Sequence, residues 1–268
     1  GSPAADARER DHDGSPAGDV LDRYRTQVIA HMERAGTQTA AINEAARQVA
    51  DCVARDGVVF VFGTGHSHLV AEEVTYRAGV LAPIDAILEP SVTGERDVVK
   101  SERAERLEGL GEIIVDHRRL SPRDLLFVVS NSGRNAVPIE VALAARQRGV
   151  SVIAITSLEY SRQVASRHSS GRKLYEVADL VLDNGAPLGD AIVQLAPAGT
   201  QAPAGTLPVG PISNLTAMFL LHSVLVQAAA LLLARGIEPP ILRSGNLDGS
   251  DEYNRAILDR YWGRIRSW

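Results

Sequence analysis

Short apolar runs alternate with segments of helical periodicity through the middle of the chain. The runs at 58–62 and 125–129 are apolar at every position, as expected of strands buried on both faces of a parallel sheet. Helical periodicity follows each of them, over 69–79 and 136–148, and a further strand is predicted at 151–155. This alternation predicts a doubly wound α/β fold that binds ligands at the carboxyl ends of its strands.

The same patterns assign the remaining elements. Two helices are predicted between residues 20 and 53, before the first strand. Additional strands are predicted at 84–88, 112–115 and 180–182. The segment 184–211 is rich in Gly, Pro and Ala, which indicates a surface excursion or a flap over a ligand. A long apolar helix at 212–235 and a terminal helix complete the chain.

Both central strands end in loops that are rich in glycine, hydroxyl groups and amides. The first loop, 63–68, reads Gly-Thr-Gly-His-Ser-His, and the second, 130–135, reads Ser-Asn-Ser-Gly-Arg-Asn. Pro138 then lies in the first turn of a helix, where its missing N–H has no cost. Hydroxyls and free backbone N–H groups at the start of a helix bind phosphate. One such loop is equally well explained by helix capping, but two together predict a phosphorylated small molecule as ligand.

Composition narrows the function classes. The 268-residue chain has a formal net charge of −5 and dispersed arginines, so a nucleic-acid partner is not expected. Cys52 is the only cysteine, which excludes an internal disulfide and is typical of a reducing compartment such as the cytosol. The apolar stretch 217–234 contains His222 and is short for a membrane span, so we expect a buried helix and no membrane partner.

The chain divides into a tail and one domain. Residues 1–18 are mostly Ala, Gly, Pro, Asp and Arg, with almost nothing to bury, and we predict that they are disordered. No stretch within 19–268 resembles a linker, so these residues are predicted to form a single domain.

Two other kinds of site are disfavoured by the first loop. Gly63-x-Gly65 after a strand, with Glu89 some distance beyond, resembles a dinucleotide fingerprint, but His68 stands where the third glycine belongs. His66 and His68 could bind a metal, yet a closed site needs two further ligands that the neighbouring sequence does not supply. Neither a cofactor nor a metal is therefore predicted.

Three segments together resemble the sugar isomerase (SIS) domain family of phosphosugar-binding proteins. They are Gly63-Thr-Gly-His-Ser67, the segment 128–135 with its proline-started helix, and the strand at 152–156. The motifs at 166–171 and 246–252 resemble an uncharacterised bacterial branch of that family, which is related to N-acetylmuramic acid 6-phosphate etherases and phosphosugar isomerases. The resemblance extends from about residue 20 to the C-terminus.

The resemblance implies a flavodoxin-like sheet of five parallel strands flanked by helices, and a homodimer whose active sites draw residues from both subunits. It also implies that the phosphate is held by the hydroxyls of Ser67, Ser130 and Ser132 and by backbone N–H groups of the loop after Ser130. The implied binding residues are Gly65, Ser67, Ser130, Asn131, Ser132 and Asn135. Asn135 stands where many relatives have threonine, and its amide can still donate to a phosphate oxygen.

Family enzymes open their reactions by removing the weakly acidic proton beside the sugar carbonyl. A partly buried carboxylate performs this step well. Glu89, at the end of the second strand, is the preferred base, and Glu73 is the alternative. His66 and His168 are candidate proton donors because both lie in loops, whereas His222 is equally well explained as a core histidine.

The resulting hypothesis is a lyase acting on a hexosamine 6-phosphate. With N-acetylglucosamine 6-phosphate the 3-hydroxyl would leave, and the enzyme would be a dehydratase. Lys100 and Lys173 are the only lysines, which disfavours a Schiff-base mechanism. An aldose–ketose isomerase and a non-catalytic phosphosugar sensor remain as alternatives. The polar side chains of Asn246, Asp248, Asp251 and Glu252 are expected either to touch the ligand or to cap the last helix.

Overall fold

Five parallel strands form the central sheet. The computed structural model describes residues 16–196 and 206–268. The strands are β1 (Val59–Gly63), β2 (Ile84–Ile87), β3 (Leu125–Val129), β4 (Ser151–Thr156) and β5 (Leu180–Asp183). Their spatial order is β2-β1-β3-β4-β5, which is the flavodoxin-like order, so the predicted doubly wound sheet is confirmed.

Helices cover both faces of this sheet. They are α1 (Pro16–Gly36), α2 (Thr39–Ala54), α3 (His68–Val74), α4 (Pro90–Thr93), α5 (Val98–Ala104), α6 (Leu110–Arg118), α7 (Ala136–Gln147), α8 (Leu158–Gln163), α9 (Leu174–Val177), α10 (Ser213–Ala234) and α11 (Ser250–Tyr261). A 3₁₀ turn, Gly65–Ser67, precedes α3. The predicted tail, 1–18, overlaps α1, which begins at Pro16. Residues 1–15 lie outside the described residues.

The core consists of two apolar layers that the alternating strand residues create. Val61 and Phe127 point to the face covered by α2, α3 and α10, and Phe62 and Val128 point to the face covered by α6, α7 and α11. Successive strand side chains alternate between faces, so an apolar residue at every position serves both layers.

The predicted strand at 112–115 is wrong, because this segment lies inside helix α6. Ile114 and Val115 are buried on one side of the helix, whereas Ile113 is 64% exposed. The backbone N–H groups of Gly109 and Gly111 donate to the Glu140 carboxylate, which caps the start of the helix. A short apolar run cannot distinguish a strand from a helix by its pattern alone.

The segment 184–211 is a surface excursion built around a hairpin. Strands β6 (Ala191–Leu195) and β7 (Leu207–Pro211) pair in antiparallel fashion, and residues 197–205 between them lie outside the described residues. Arg23 of α1 donates to the carbonyl of Gln194 at 2.6 Å, so the hairpin is attached to the first helix.

Helix α10 is long and apolar enough to cross a membrane by length and composition. In the fold, however, it packs along α2 and contributes residues such as Leu220 and Val224 to the core. This agrees with the predicted buried helix, although Val226 and Leu233 remain 69% and 63% exposed on its outer side.

Candidate functional site

The two polar loops lie side by side at the carboxyl edge of the sheet. Strands β1 and β3 are neighbours, with Gly63 aligned to Val129, so the loops that follow them meet. Between them lies a cavity of about 300 Å³. The cavity is lined by Thr64, Gly65, Ser67, Glu105, Ser130, Asn131, Ser132, Asn135, Tyr160, Gly189 and Asp190. The structure therefore brings together all six residues predicted to bind phosphate.

The first loop needs glycine at its beginning. A Cβ on Gly63 would lie 2.5 Å from the carbonyl oxygen of Ser67 and 2.9 Å from the backbone nitrogen of His68. Both contacts are with backbone atoms, which cannot rotate away as a side chain would. Gly63 therefore allows the 3₁₀ turn to fold back closely against the end of β1.

Replacing Gly63 by alanine is expected to lower the free energy of unfolding by about 3 kcal/mol, at the upper end of the usual cost of overpacking. Chemical denaturation of the full chain measures this change. Gly245→Ala is the matched control, because a Cβ at Gly245 meets no atom within 4 Å among the described residues. Equal stability of the two variants would contradict the close approach.

Three serine hydroxyls in the cavity are available for a ligand. Ser67, Ser130 and Ser132 make no side-chain hydrogen bond to any residue that the structure describes. Ser157 differs, because its hydroxyl donates to the carbonyl of Ala186 and accepts from the N–H of Tyr160, and it thereby caps α8. The hydroxyl of Ser157 is thus already bonded within the fold, whereas the three hydroxyls of the loops have no such bond among the described residues.

The two asparagines of the second loop have structural partners. The carbonyl oxygen of Asn131 accepts from the N–H of Ser157, which ties the loop to the end of β4. The side-chain amide of Asn135 donates to Glu105 Oε1 at 2.7 Å and its oxygen accepts from Arg167 at 3.0 Å. Asn135 thus holds the Glu105 carboxylate in position and also lines the cavity.

Glu105, immediately after α5, is a site residue that sequence reasoning missed. Its carboxylate accepts hydrogen bonds from the Thr64 hydroxyl at 2.6 Å and from the Asn135 amide, so it is bound to both loops. Burial raises its pKa, and the hydrogen bond from Thr64 and the charges of Arg106 and Arg167 oppose that rise without cancelling it.

A signal for Glu105 was present but weak. The surrounding sequence, Ser-Glu-Arg-Ala-Glu-Arg over 101–106, is typical of an exposed charged helix. Ser101 and Ala104 are nevertheless buried, which places Glu105 on the inner face of the helix, four residues after Ser101. The available clue was the pair of small residues, Ser101 and Ala104, which are three positions apart and mark the buried side of the helix.

The preferred base of the sequence hypothesis, Glu89, lies outside this cavity. Its carboxylate accepts from the backbone N–H of Ser91 at 3.2 Å and from the Ser91 hydroxyl at 2.9 Å. It is the N-cap of α4, and its side chain forms no hydrogen bond to either phosphate loop among the described residues.

Glu73 and His222 are brought together, away from the cavity between the loops. His222 Nε2 lies 3.3 Å from Glu73 Oε1, and Arg77 lies 3.1 Å from the other oxygen of that carboxylate. Both side chains are about one-third exposed or less, at the contact of α3 with α10. His222 is therefore a partnered histidine with one side toward the core.

His168 serves as an anchor of its loop. One ring nitrogen is 2.7 Å from the Ser170 hydroxyl and the other lies 3.7 Å from Glu140. The neighbouring Ser169 donates both its N–H and its hydroxyl to Glu108, which lowers the pKa of that carboxyl. His168 and Ser169 therefore hold the loop to α7 and to the segment just before α6, and neither lines the cavity.

A second cavity of about 440 Å³ adjoins the first. Gly65 and Glu105 line both cavities, so the carboxylate of Glu105 lies on their common border. The other lining residues are His66, His68, Leu69, Thr93, Gly94, Glu95, Val98, Ser101 and Glu102. His66, a predicted proton donor, is exposed at this second cavity, and its carbonyl accepts from the Asn214 amide at 2.8 Å.

The polar segment before the last helix lies elsewhere. Asp251 and Glu252 are exposed in the first turn of α11, where negative charge stabilises a helix. Asn254 exchanges two hydrogen bonds with the backbone of Arg243, at 2.9 and 2.8 Å. Asn246 and Asp248 are exposed and line neither cavity. A favourable charge at the start of the helix is therefore supported for Asp251 and Glu252 alone, and none of the four side chains forms a capping hydrogen bond among the described residues.

The sequence profile of the SIS domain matches residues 23–157. A UPF0309 protein of Geobacillus kaustophilus is 41% identical over 247 residues, covering 92% of this chain and 96% of that protein. A UPF0309 protein of Streptomyces coelicolor is 41% identical over 263 residues, covering 94% and 98% respectively.

Solved structures share the fold at low sequence identity. The phosphoheptose isomerase of Neisseria gonorrhoeae aligns with a TM-score of 0.54 and 16% identity, covering 80% of this chain and 99% of that one. The Vibrio vulnificus NanR protein, solved in complex with ManNAc-6P, aligns with a TM-score of 0.50 and 16% identity, covering 93% and 71%. At these identities the likeness concerns the fold alone.

Proposed function

The chain belongs to the SIS domain family, and on that premise we propose that it is an enzyme that binds a phosphorylated sugar between its two polar loops. The phosphate occupies the cavity where Ser67, Ser130 and Ser132 present unbonded hydroxyls. The sugar ring extends past Glu105 toward the second cavity, which shares that residue. We also propose that the enzyme works in the cytosol, where the buried Cys52 stays reduced.

The observation that carries this proposal is the position of Glu105. A carboxylate whose pKa is raised by burial lies in the same cavity as the phosphate-binding hydroxyls and is held by both loops. Such a group is suited to remove the proton beside a sugar carbonyl, because its basicity is brought closer to neutral pH. In this proposal Glu105 takes the role that the sequence hypothesis gave to Glu89.

Removal of the C2 proton produces an enolate, which is an enediolate when C2 carries a hydroxyl, and its fate decides the class of reaction. Reprotonation on the neighbouring carbon gives an isomer, whereas expulsion of the 3-oxygen gives an elimination product. We propose elimination of water from N-acetylglucosamine 6-phosphate as the reaction; the alternative is aldose–ketose isomerisation of a sugar phosphate that carries a hydroxyl at C2, which opens with the same kind of proton removal.

Incubation of the full chain with N-acetylglucosamine 6-phosphate tests this reaction. Loss of one water by mass spectrometry, together with a new conjugated ultraviolet chromophore, is the expected result. Conversion of an aldose 6-phosphate with a free 2-hydroxyl into its ketose, with N-acetylglucosamine 6-phosphate unchanged, would instead support the isomerase. Unphosphorylated N-acetylglucosamine is the control and should neither react nor raise the melting temperature. A chain that neither reacts with the phosphorylated sugar nor is stabilised by it would contradict the proposal.

We further propose that the chain forms a homodimer through the outer side of α10. Leu215, Val226 and Leu233 are 39%, 69% and 63% exposed there, which is unusual for a helix of such apolar composition in a monomer. Sedimentation should give twice the 28.7 kDa chain mass, Val226→Lys should shift it toward the monomer, and Val226→Ala should leave it unchanged. Wild-type protein that sediments as a monomer would contradict the dimer.

A further inference from the structure

We propose that His68, Glu72 and Glu95 bind a divalent transition-metal cation in the wall of the second cavity. One ligand atom from each of these side chains lies within 4.8 Å of the other two. His68 and Glu72 are one turn apart on α3, and Glu95 comes from the loop between α4 and α5. The sequence predicted no metal because only His66 and His68 are visible as neighbours; folding adds the two carboxylates.

His68 is prepared for ligation by its hydrogen bond. The ring is 8% exposed, and its Nδ1 lies at hydrogen-bond distance from the carbonyl oxygen of Gly65, an atom that can only accept. Nδ1 therefore carries the proton, and in the neutral ring Nε2 presents a lone pair. A carbonyl that fixes the other ring nitrogen in this way is typical of metal-bound histidine.

The lone pair of His68 Nε2 faces Glu72 Oε1 at 3.4 Å. Nitrogen and oxygen ligands of one tetrahedral Zn²⁺ lie about 3.3 Å apart, given metal–ligand bonds of about 2.0–2.2 Å. A proton would suffice to join this pair alone. The carboxylate of Glu95 adds a third ligand and a second negative charge. A proton shared by His68 and Glu72 does not need this ligand, whereas a divalent cation does.

The carboxylates of Glu72 and Glu95 form few interactions with the rest of the described protein. Among the residues described, the side chain of Glu72 contacts only His68, and that of Glu95 has no hydrogen-bond or ion-pair partner. The other cluster of this composition differs, because Glu108 and Glu140 each accept two hydrogen bonds from backbone or hydroxyl groups. That second cluster is a structural clamp.

Thr93 provides an independent observation at the same cavity. Its side chain is 4% exposed, and its hydroxyl has no hydrogen-bond partner in the described part of the chain. It lines the cavity together with His68 and Glu95. A buried hydroxyl without a partner is costly unless another group binds to it, and a water or substrate oxygen on the cation supplies such a group.

Three protein ligands leave an open coordination position, as in catalytic zinc sites. Two of the three ligands, His68 and Glu95, line the cavity that Glu105 also lines. If the proposed function holds, a cation held by these residues would act as a Lewis acid on the substrate carbonyl, and Glu105 would remove the adjacent proton. Binding of the cation itself rests only on His68, Glu72 and Glu95.

Calorimetric titration of the chelator-treated full chain with Zn²⁺, without any sugar, tests the site. We expect one Zn²⁺ per chain, with affinity reduced at least tenfold in Glu95→Gln and in Glu72→Gln. Both residues are exposed, so neither substitution should impair folding. Glu102→Gln, an exposed carboxylate of the same cavity, and His66→Ala, an exposed neighbouring imidazole, are controls that should bind as the wild type does.

Absence of stoichiometric binding, or equal affinity in the wild type and in Glu95→Gln, would overturn the site. Loss of binding in His66→Ala with retention in Glu72→Gln would also overturn it, because the cation would then lie elsewhere. Zn²⁺ binding that follows the expected pattern in a chain inactive on sugar phosphates would leave the site intact and contradict only the proposed function. Sugar-phosphate turnover in a chain that does not bind Zn²⁺ would support the proposed function and contradict the metal site.

Discussion

Glu105→Gln is expected to reduce turnover of the sugar phosphate about 10²–10⁴-fold, the usual contribution of a general base. Glutamine has nearly the same shape and still offers an oxygen to Thr64 or Asn135, but it cannot accept a proton from carbon. The phosphate is held by other residues, so binding should be retained. Steady-state rates measure the first effect, and calorimetry with the same sugar phosphate measures the second.

Two other carboxylates serve as matched controls. Glu112→Gln removes an exposed carboxylate in the first turn of α6 that lines neither cavity, and turnover should not change. Glu89→Gln weakens the N-cap of α4 and should lower stability without a comparable loss of turnover. Undiminished turnover in Glu105→Gln, with a large loss in Glu89→Gln, would return the role of base to Glu89.

The raised pKa of Glu105 predicts how pH acts on both activity and stability. A base works only when deprotonated, so turnover should fall as pH decreases through this raised pKa. Stability changes in the opposite sense. A carboxyl whose pKa is higher in the folded state than in the unfolded one contributes most below the unfolded pKa, and the contribution is lost as pH rises through the folded pKa. Glu105→Gln should therefore show a smaller loss of stability than the wild type between acidic and neutral pH in urea unfolding.

Ser130→Ala and Ser132→Ala are each expected to weaken binding of the sugar phosphate by about 1.5–3 kcal/mol, the contribution of a hydrogen bond to a charged group. This corresponds to about a 10- to 150-fold increase in Kd. Neither hydroxyl has a side-chain hydrogen bond within the residues described, so its removal leaves no protein group unpaired and stability should change little. Calorimetry with N-acetylglucosamine 6-phosphate measures the affinity.

Ser223→Ala is the control for this pair. Its hydroxyl bonds to the carbonyl of Phe219 within α10, far from the loops in the sequence, and affinity should be unaffected. Binding of the unphosphorylated sugar should be weak and equally insensitive to Ser130→Ala and Ser132→Ala. Unchanged affinity of the phosphorylated sugar in both variants would remove the phosphate-binding role of the second loop.

The pattern of apolar and polar residues predicted the elements whose structure depends on residues close to them in the chain. A fully apolar run such as 125–129 can be accommodated only where both faces are covered, which predicted a central parallel strand correctly. Parallel strands place their carboxyl ends at one edge, so the loops after β1 and β3 were expected to meet, and they line one cavity. The pattern was not sufficient at 112–115, where an apolar run of four residues fits a helix as well as a strand.

The sequence by itself thus determined the five strands of the sheet, the longer helices α2, α7 and α10, and the two loops with their serines, because each of these follows from burial and turn chemistry within a few residues. Only the tertiary structure decided which charged side chains join them. Glu105 reaches the site through hydrogen bonds to residues 41 and 30 positions away, and Glu89 was diverted to the cap of α4 by Ser91, two positions away. His68 and Glu72 meet Glu95 in the same way, across the loop between α4 and α5. A carboxylate has no intrinsic preference between solvent, a cap and a cavity, so the packing of the helix or loop that carries it decides its role.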